Sequence, residues 1–178
     1  MNPFEVLGIE PRYDIDLKLV EKRHRELSKA LHPDKFAQDG ASARRESLER
    51  ATQVNEAWRI VRDPIRRAEA LFALAGIKVG ETNEPKSDQA FLMDMMEMRE
   101  ALSEARETKD LGKVRALAED AETREAAAKK AISAAICVGN DTGVLARALP
   151  KLGELRFYRR MLEDVTAIED AIAESSTT

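Results

Sequence analysis

The chain has 178 residues, 29 basic and 33 acidic side chains for a net charge of −4, and 43% hydrophobic but only 4% aromatic residues. That length accommodates one large domain or two small ones, no apolar run approaches the ~18 residues of a membrane span, and the acidic balance speaks against bulk nucleic-acid affinity. One cysteine and two histidines cannot make an internal disulfide and do not suggest a closed zinc site, so neither a metal nor a cofactor is expected.

Eight glycines and six prolines make for few turns, which predicts an all-α fold. Met1-Asn2-Pro3-Phe4-Glu5 has neither the basic nor the apolar region of a signal peptide, and the expected location is the cytoplasm. Asn2-Pro3 reads as an N-cap with proline at the first helical position, opening a short helix through Val6 and Leu7 that stops at Gly8. Asp16 caps a second helix reaching about Leu31, with Val20, His24, Leu27 and Leu31 on its buried stripe. His32-Pro33-Asp34 interrupts it, and a loop is expected through Lys35, Phe36 and Gly40. Helix returns by about Ser42 and runs to Arg62, with Ala51, Val54, Trp58 and Val61 on one face. Asp63-Pro64 then caps a short helix carrying Ala68, Leu71, Phe72 and Leu74, ended by Gly76.

Residues 77–86 carry Gly, Asn and Pro without helical periodicity and read as a linker between a first domain, 1–76, and a second, 87–178. Ser87 or Asp88 caps the next helix. Breaks near Lys109-Asp110 and at Gly139-Asn140-Asp141 predict an antiparallel three-helix bundle, with helices over about 88–107, 110–138 and 141–173. Pro150 and Gly153 predict a kink or a late start in the last helix, and the tail from Ser175 to Thr178 should fray.

Two segments carry chemistry. Before and within the His32-Pro33-Asp34 loop stand Lys18, Lys22, Arg23, Arg25, Lys29 and Lys35, giving residues 17–36 a local charge of +3 in a chain of −4. A solvated helix face is the ordinary reading of such a run. The loop holds an imidazole that donates or accepts near neutral pH and a carboxylate that can take a bidentate arginine. No nucleophile motif, metal cluster or glycine-rich phosphate loop accompanies it, so a catalytic His-Asp pair is not supported and the protein is not expected to be an enzyme. In the second segment, Phe91, Met95, Met98 and Leu102 fall within an arc of about 60° at ~100° per residue and form a core stripe. Leu92, Met93 and Met96 form another, beside Glu97 and Glu100. That second stripe either packs inside the protein or binds a partner, and the pattern alone favours neither.

The first 76 residues resemble the J-domain of DnaJ-type co-chaperones. The resemblance rests on Pro3-Phe4-Glu5-Val6-Leu7-Gly8-Ile9, on the basic helix before His32-Pro33-Asp34, and on Asn55-Glu56-Ala57-Trp58 in the helix after it. It implies a helical hairpin with short flanking helices. It further implies that His32, Pro33 and Asp34, with Lys22, Arg23, Arg25, Lys29 and Lys35, engage an HscA/DnaK-type chaperone and promote its ATP hydrolysis. His24, where many J-domains carry an aromatic, reads as a partly buried packing residue.

Nearly the whole chain is similar to the HscB family, J-type co-chaperones of iron–sulfur cluster assembly. The further matches are Arg67-Ala68-Glu69, Phe91-Leu92-Met93 with Glu97, Arg99 and Glu100, and Leu155-Arg156-Phe157. The resemblance implies that the C-terminal three-helix domain binds the scaffold protein IscU through Leu92, Met93, Met96, Glu97, Glu100 and Phe157, with Met96 standing where leucine is common. For Phe157 a plain core position is the alternative. Some eukaryotic relatives carry an N-terminal domain with paired Cys-x-x-Cys motifs; this chain has none and resembles the bacterial form. Cys137 reads as a small buried residue. Two other readings stay open: a J-protein for a different client, and a structural adaptor with a vestigial loop.

Overall fold

The computed structural model describes residues 1–36, 40–80, 88–138 and 141–175. Among them are α1 (Pro3–Leu7), α2 (Leu17–Ala30), a single 3-10 turn (Pro33–Phe36), α3 (Gly40–Arg62), α4 (Pro64–Leu74), α5 (Gln89–Glu107), α6 (Leu111–Cys137) and α7 (Thr142–Ser175), with no strand. The chain divides into two compact units: Met1–Val79 with Ile136–Thr142, and Gly80–Ala135 with Gly143–Thr178. Most of the expected linker, residues 81–86, lies outside the described residues, as do the alternative cap Ser87, the Gly139-Asn140 break and the tail beyond Ser175.

The helix starts follow their caps. Asn2 Oδ1 accepts from the Phe4 amide at 3.1 Å, and Gly8 closes α1 in the left-handed region at φ 64°. Asp16 Oδ1 accepts from the amides of Lys18 and Leu19 at 3.0 and 3.2 Å, and Asp63 Oδ1 from Ile65 and Arg66 at 2.9 and 3.0 Å. Asp88 caps α5 through the Phe91 amide at 2.7 Å. Lys109 takes a positive φ of 54° to turn the chain, and Asp110 caps α6 through the Lys113 amide at 3.0 Å.

Two local expectations are corrected, the open loop after His32 and the late start of the last helix. The segment after His32 is not open loop: Pro33 begins a 3-10 turn, where its missing amide costs nothing, and the Lys35 amide donates to the His32 carbonyl at 3.0 Å. Helix α3 starts at Gly40, close to the expected Ser42, and Gly40 enters it at a positive φ of 91°, which a residue without a Cβ adopts at no steric cost. Helix α7 starts at Thr142 and continues through Pro150. The lost ladder bond costs about 3 kcal/mol, and the buried side chains of Leu149 and Leu152 offset it at roughly 1.5–3 kcal/mol each.

In the first unit α3 is the hub, packing on α1, α2, the 3-10 turn and α4. Phe4 and Leu7 of α1, Val20 of α2, Val54, Ala57 and Val61 of α3 and Phe72 of α4 are buried. Polar contacts register α2 on α3. His24 stacks on Trp58 with ring centroids 5.3 Å apart and planes 15° apart, and its Nε2 lies 3.0 Å from Asn55 Oδ1. The buried Ser47 hydroxyl donates to the Leu31 carbonyl at 2.7 Å, just before the His32 turn. Arg67 is buried too: its Nη1 donates to the Val61 carbonyl at 2.7 Å and its guanidinium covers the Tyr13 ring at 5.0 Å. Burial, only partly countered by the neighbouring Tyr13, Asp14 and Asp63, pulls the Arg67 pKa below its ordinary value.

In the second unit the ion pairs fix helix directions. Lys113, early in α6, meets Glu104, late in α5, at 2.9 Å, while Arg124 further along α6 meets Asp94 near the start of α5. Arg115 of α6 meets Glu169, late in α7, at 3.3 Å. Each neighbour is therefore antiparallel. The shared core holds Met98, Leu102 and Ala105 of α5, Val114 and Ala121 of α6, and an α7 stripe from Phe157 to Ile172.

Ser47→Ala should remove one buried hydrogen bond and cost about 1–2 kcal/mol, read as a lower urea midpoint at unchanged m-value. Leu102→Ala, at a 6% exposed position, should cost the second unit about 2–5 kcal/mol by the same measurement.

Candidate partner-binding surfaces

The His32 turn is an exposed device on a rigid base. The side chains of His32 and Asp34 are 60% and 89% exposed. His32 Nδ1 stands 3.4 Å from both the Asp34 amide nitrogen and Asp34 Oδ2. These are loose contacts, so either tautomer is accommodated and both groups remain free to turn to a partner. The base is firmer: Ser47 holds the Leu31 carbonyl on α3, and the turn itself packs on α3.

The basic residues do not form one set. Lys18, Lys22, Arg25 and Lys29 follow at i, i+4, i+7 and i+11, an arc of about 60°, and all are exposed. Val20, His24, Leu27 and Leu31, buried or half-buried, lie on the opposite side. Arg25 pairs with Glu21 within this helix. Arg23 stands apart, roughly a third of a turn round from the stripe. It pairs with Glu26 at 3.8 Å, and its Nη2 lies 3.3 Å from where a Cβ on Gly8 would be. Arg23 therefore braces the exit of α1 besides offering charge. Lys35 is exposed beside Asp34.

Helix α5 resolves its two apolar stripes. Met98 and Leu102 are buried and Phe91 and Met95 half-buried against the bundle core. Leu92, Met93 and Met96 are 48%, 55% and 72% exposed. Glu97 and Glu100 stand exposed beside them. An aromatic cluster supports this face from beneath. Phe91 meets Phe157 edge-on at 5.9 Å and Tyr158 at 6.2 Å, Phe157 meets Tyr158 at 5.4 Å, and the Arg99 guanidinium covers the Phe157 ring at 5.6 Å. Asp94, on the flank of the same turn, is clamped by Arg124, which Asp120 also holds at 2.9 and 3.0 Å. That hydrogen bond to Asp120, aided by Tyr158, raises the Arg124 pKa, while burial raises that of Tyr158.

Two expectations about side chains change. Phe157 is 7% exposed and belongs to the core, because its ring is enclosed by Phe91, Tyr158 and Arg99; it supports the α5 face from inside and is not part of the surface. Cys137 is exposed, not buried. It lies two residues past the buried Ala135, about 200° round the helix and so on the opposite side. Ser47 was not legible as a positioning residue, since only its distance to the Leu31 carbonyl gives it that role. No helix is long and apolar enough to cross a membrane among the described residues.

Known proteins match both the N-terminal and the C-terminal part of the chain. The DnaJ domain family covers residues 2–70 and the HSCB C-terminal oligomerisation domain family residues 87–166. A co-chaperone protein HscB homolog of Shewanella oneidensis is 37% identical over 97% of this chain and 99% of its own. One from Shewanella sp. strain ANA-3 is 36% identical over the same shares. The structure of the chaperone HscB from Vibrio cholerae superposes with a TM-score of 0.83 at 28% identity, covering 97% of this chain and 99% of that one. Human co-chaperone protein HscB, 21% identical, shares the fold with the same TM-score over 95% of this chain and 82% of its own. An exposed histidine–aspartate turn on a J-type hairpin, a three-helix bundle, and relatives that match end to end place one conclusion beyond the fold: the chain belongs to the HscB family of J-type co-chaperones, which is not a family of catalytic enzymes.

Proposed function

We propose that this protein carries the iron–sulfur scaffold protein IscU to an HscA/DnaK-type chaperone in the bacterial cytoplasm and stimulates the chaperone's ATPase, so promoting cluster transfer and protein maturation. The observation that carries the reading is the presence, on one chain, of two exposed recognition surfaces of unlike chemistry. One is the polar His32–Asp34 turn beside a basic helix face; the other is the apolar Leu92–Met93–Met96 strip with a glutamate rim.

The basic face steers the J-type unit toward an acidic patch on the ATPase, chiefly through the association rate. Asp34 offers a carboxylate for a bidentate arginine, and His32 a second polar contact within the same turn. Pro33 limits the backbone freedom that docking would otherwise remove. On the bundle, Leu92, Met93 and Met96 give apolar anchoring. The thioethers of Met93 and Met96 adapt to a surface that a branched side chain would fit less readily. Glu97 and Glu100 set orientation, and Phe157 acts by holding Phe91 in place under the strip. Joining both surfaces in one chain raises the effective concentration of client at the chaperone, toward the mM range for closely linked sites, without any new contact.

The test is the steady-state ATPase rate of the chaperone with scaffold, with this protein, and with both. Synergy beyond either alone supports the reading. Stimulation without synergy points to a different client, and no response sinks the assignment of the turn. Asp34→Ala should return the ATPase to its basal rate while scaffold affinity, measured by calorimetry, stays unchanged. The joint change of Leu92, Met93 and Met96 to alanine should keep the fold by circular dichroism and weaken scaffold binding about 100-fold or more, the effect of losing a central apolar anchor.

A further inference from the structure

The exposed strip of α5 does not end at Met96. Leu92, Met96, Arg99, Ser103 and Arg106 follow at i, i+4, i+7, i+11 and i+14, within an arc of about 80°. Beside the lower half of that line α5 and α7 part to leave a groove of about 490 Å³. Leu102 and Ile168 form its floor, and Ala167 and Ala171 keep the α7 wall low. Arg99 and Arg106 stand on its α5 side and Asp164 opposite, so the groove is net cationic in a chain of net charge −4.

The charges of α5 are sorted around this line. Glu97, Glu100, Glu104 and Glu107 occupy the side away from the groove, about 60–140° round from Leu92, and the two arginines the side facing it. Arg99 already covers the Phe157 ring. The exposed Arg106 side chain has no ion pair among the described residues. The two arginine positions lie about 10 Å apart along the helix axis.

We infer that the client-binding surface continues from Leu92 and Met96 into the α5–α7 groove, where Arg99 and Arg106 receive carboxylates of an acidic segment of the client and the floor over Leu102 and Ile168 receives an apolar side chain of it. Charge complementarity selects such an occupant: a basic segment would meet both guanidiniums, whereas an acidic one satisfies them while its other edge faces away from the glutamate side. The groove thus fixes the direction in which the client lies along α5, and the apolar strip supplies most of the adhesion.

This inference rests on scaffold binding by the bundle, and one titration set separates the two. Scaffold is titrated calorimetrically into the unaltered protein, the Leu92–Met93–Met96 triple-alanine variant, Arg106→Glu, Arg106→Lys and Ala171→Phe, each at two salt concentrations. Arg106 and Ala171 are exposed, so the variants retain the fold, checked by circular dichroism. Arg106→Glu should weaken binding about tenfold or more and flatten its salt dependence, Arg106→Lys should largely restore it, and Ala171→Phe should weaken binding by filling the groove. If the unaltered protein binds scaffold and the Leu92–Met93–Met96 variant does not, yet Arg106→Glu and Ala171→Phe bind like the unaltered protein, the groove is not part of the surface while the client reading stands. If the unaltered protein fails to bind scaffold at all, the client reading itself falls.

Discussion

A helix in a three-helix bundle has one side to bury, and α5 carries apolar residues on two. The constraint is geometric. At ~100° per residue, Met98 and Leu102 cannot face α6 and α7 together with Met93 and Met96. The bundle takes the stripe supported by Phe157 and Tyr158 and leaves the other in solvent. A face of Leu92, Met93 and Met96 open to water is an unfavourable surface in isolation, and under the proposed function the client covers it. The aromatic cluster and the Asp94–Arg124–Asp120 clamp hold α5 on the bundle on either side of that face, so the strip is displayed on a rigid element, where little order has to be gained on binding.

The J-type unit meets the opposite requirement. Its turn must be exposed and polar, yet set at a fixed place. Helix α3 supplies the place: it buries Val54, Ala57 and Val61, accepts the His24 ring on Trp58, and ties the Leu31 carbonyl through Ser47. What remains free is confined to the His32 and Asp34 side chains, whose mutual contacts at 3.4 Å are too long to compete with a well-aligned partner. Anchoring the backbone while leaving side chains loose suits the recognition role proposed for the turn, and it differs from a catalytic pair, whose members would be fixed against each other around an enclosed cavity.

Charge is distributed along the same division. The outer face of α2 concentrates Lys18, Lys22, Arg25 and Lys29, whereas α5 sorts its glutamates and arginines to two sides of one apolar line. In the proposed function the first pattern steers an acidic surface from a distance, and the second sets the orientation of a partner already in contact. A protein proposed to meet an ATPase briefly and to hold a client longer has use for both.

Much was legible in the sequence for definite reasons. Asn2, Asp16, Asp63 and Asp88 mark helix starts because a carboxylate or amide oxygen before a helix satisfies amides that nothing else can reach. The 3.6-residue period separates the core stripe of α5 from the second one, and His32-Pro33-Asp34 stands out because proline interrupts a helical pattern. These are local properties, set by residues a few positions apart. The sequence alone could not say whether Leu92, Met93 and Met96 are covered, that Phe157 lies inside, that Cys137 faces out, that Ser47 anchors the His32 turn, or that α7 runs through Pro150. Each depends on which elements pack together and how closely, and packing is decided by contacts between residues far apart in the chain. The apolar pattern determined that α5 has two faces; only the tertiary structure decided which one faces solvent, because the side that packs against Phe157, Tyr158 and the rest of the α7 core is the one that leaves water.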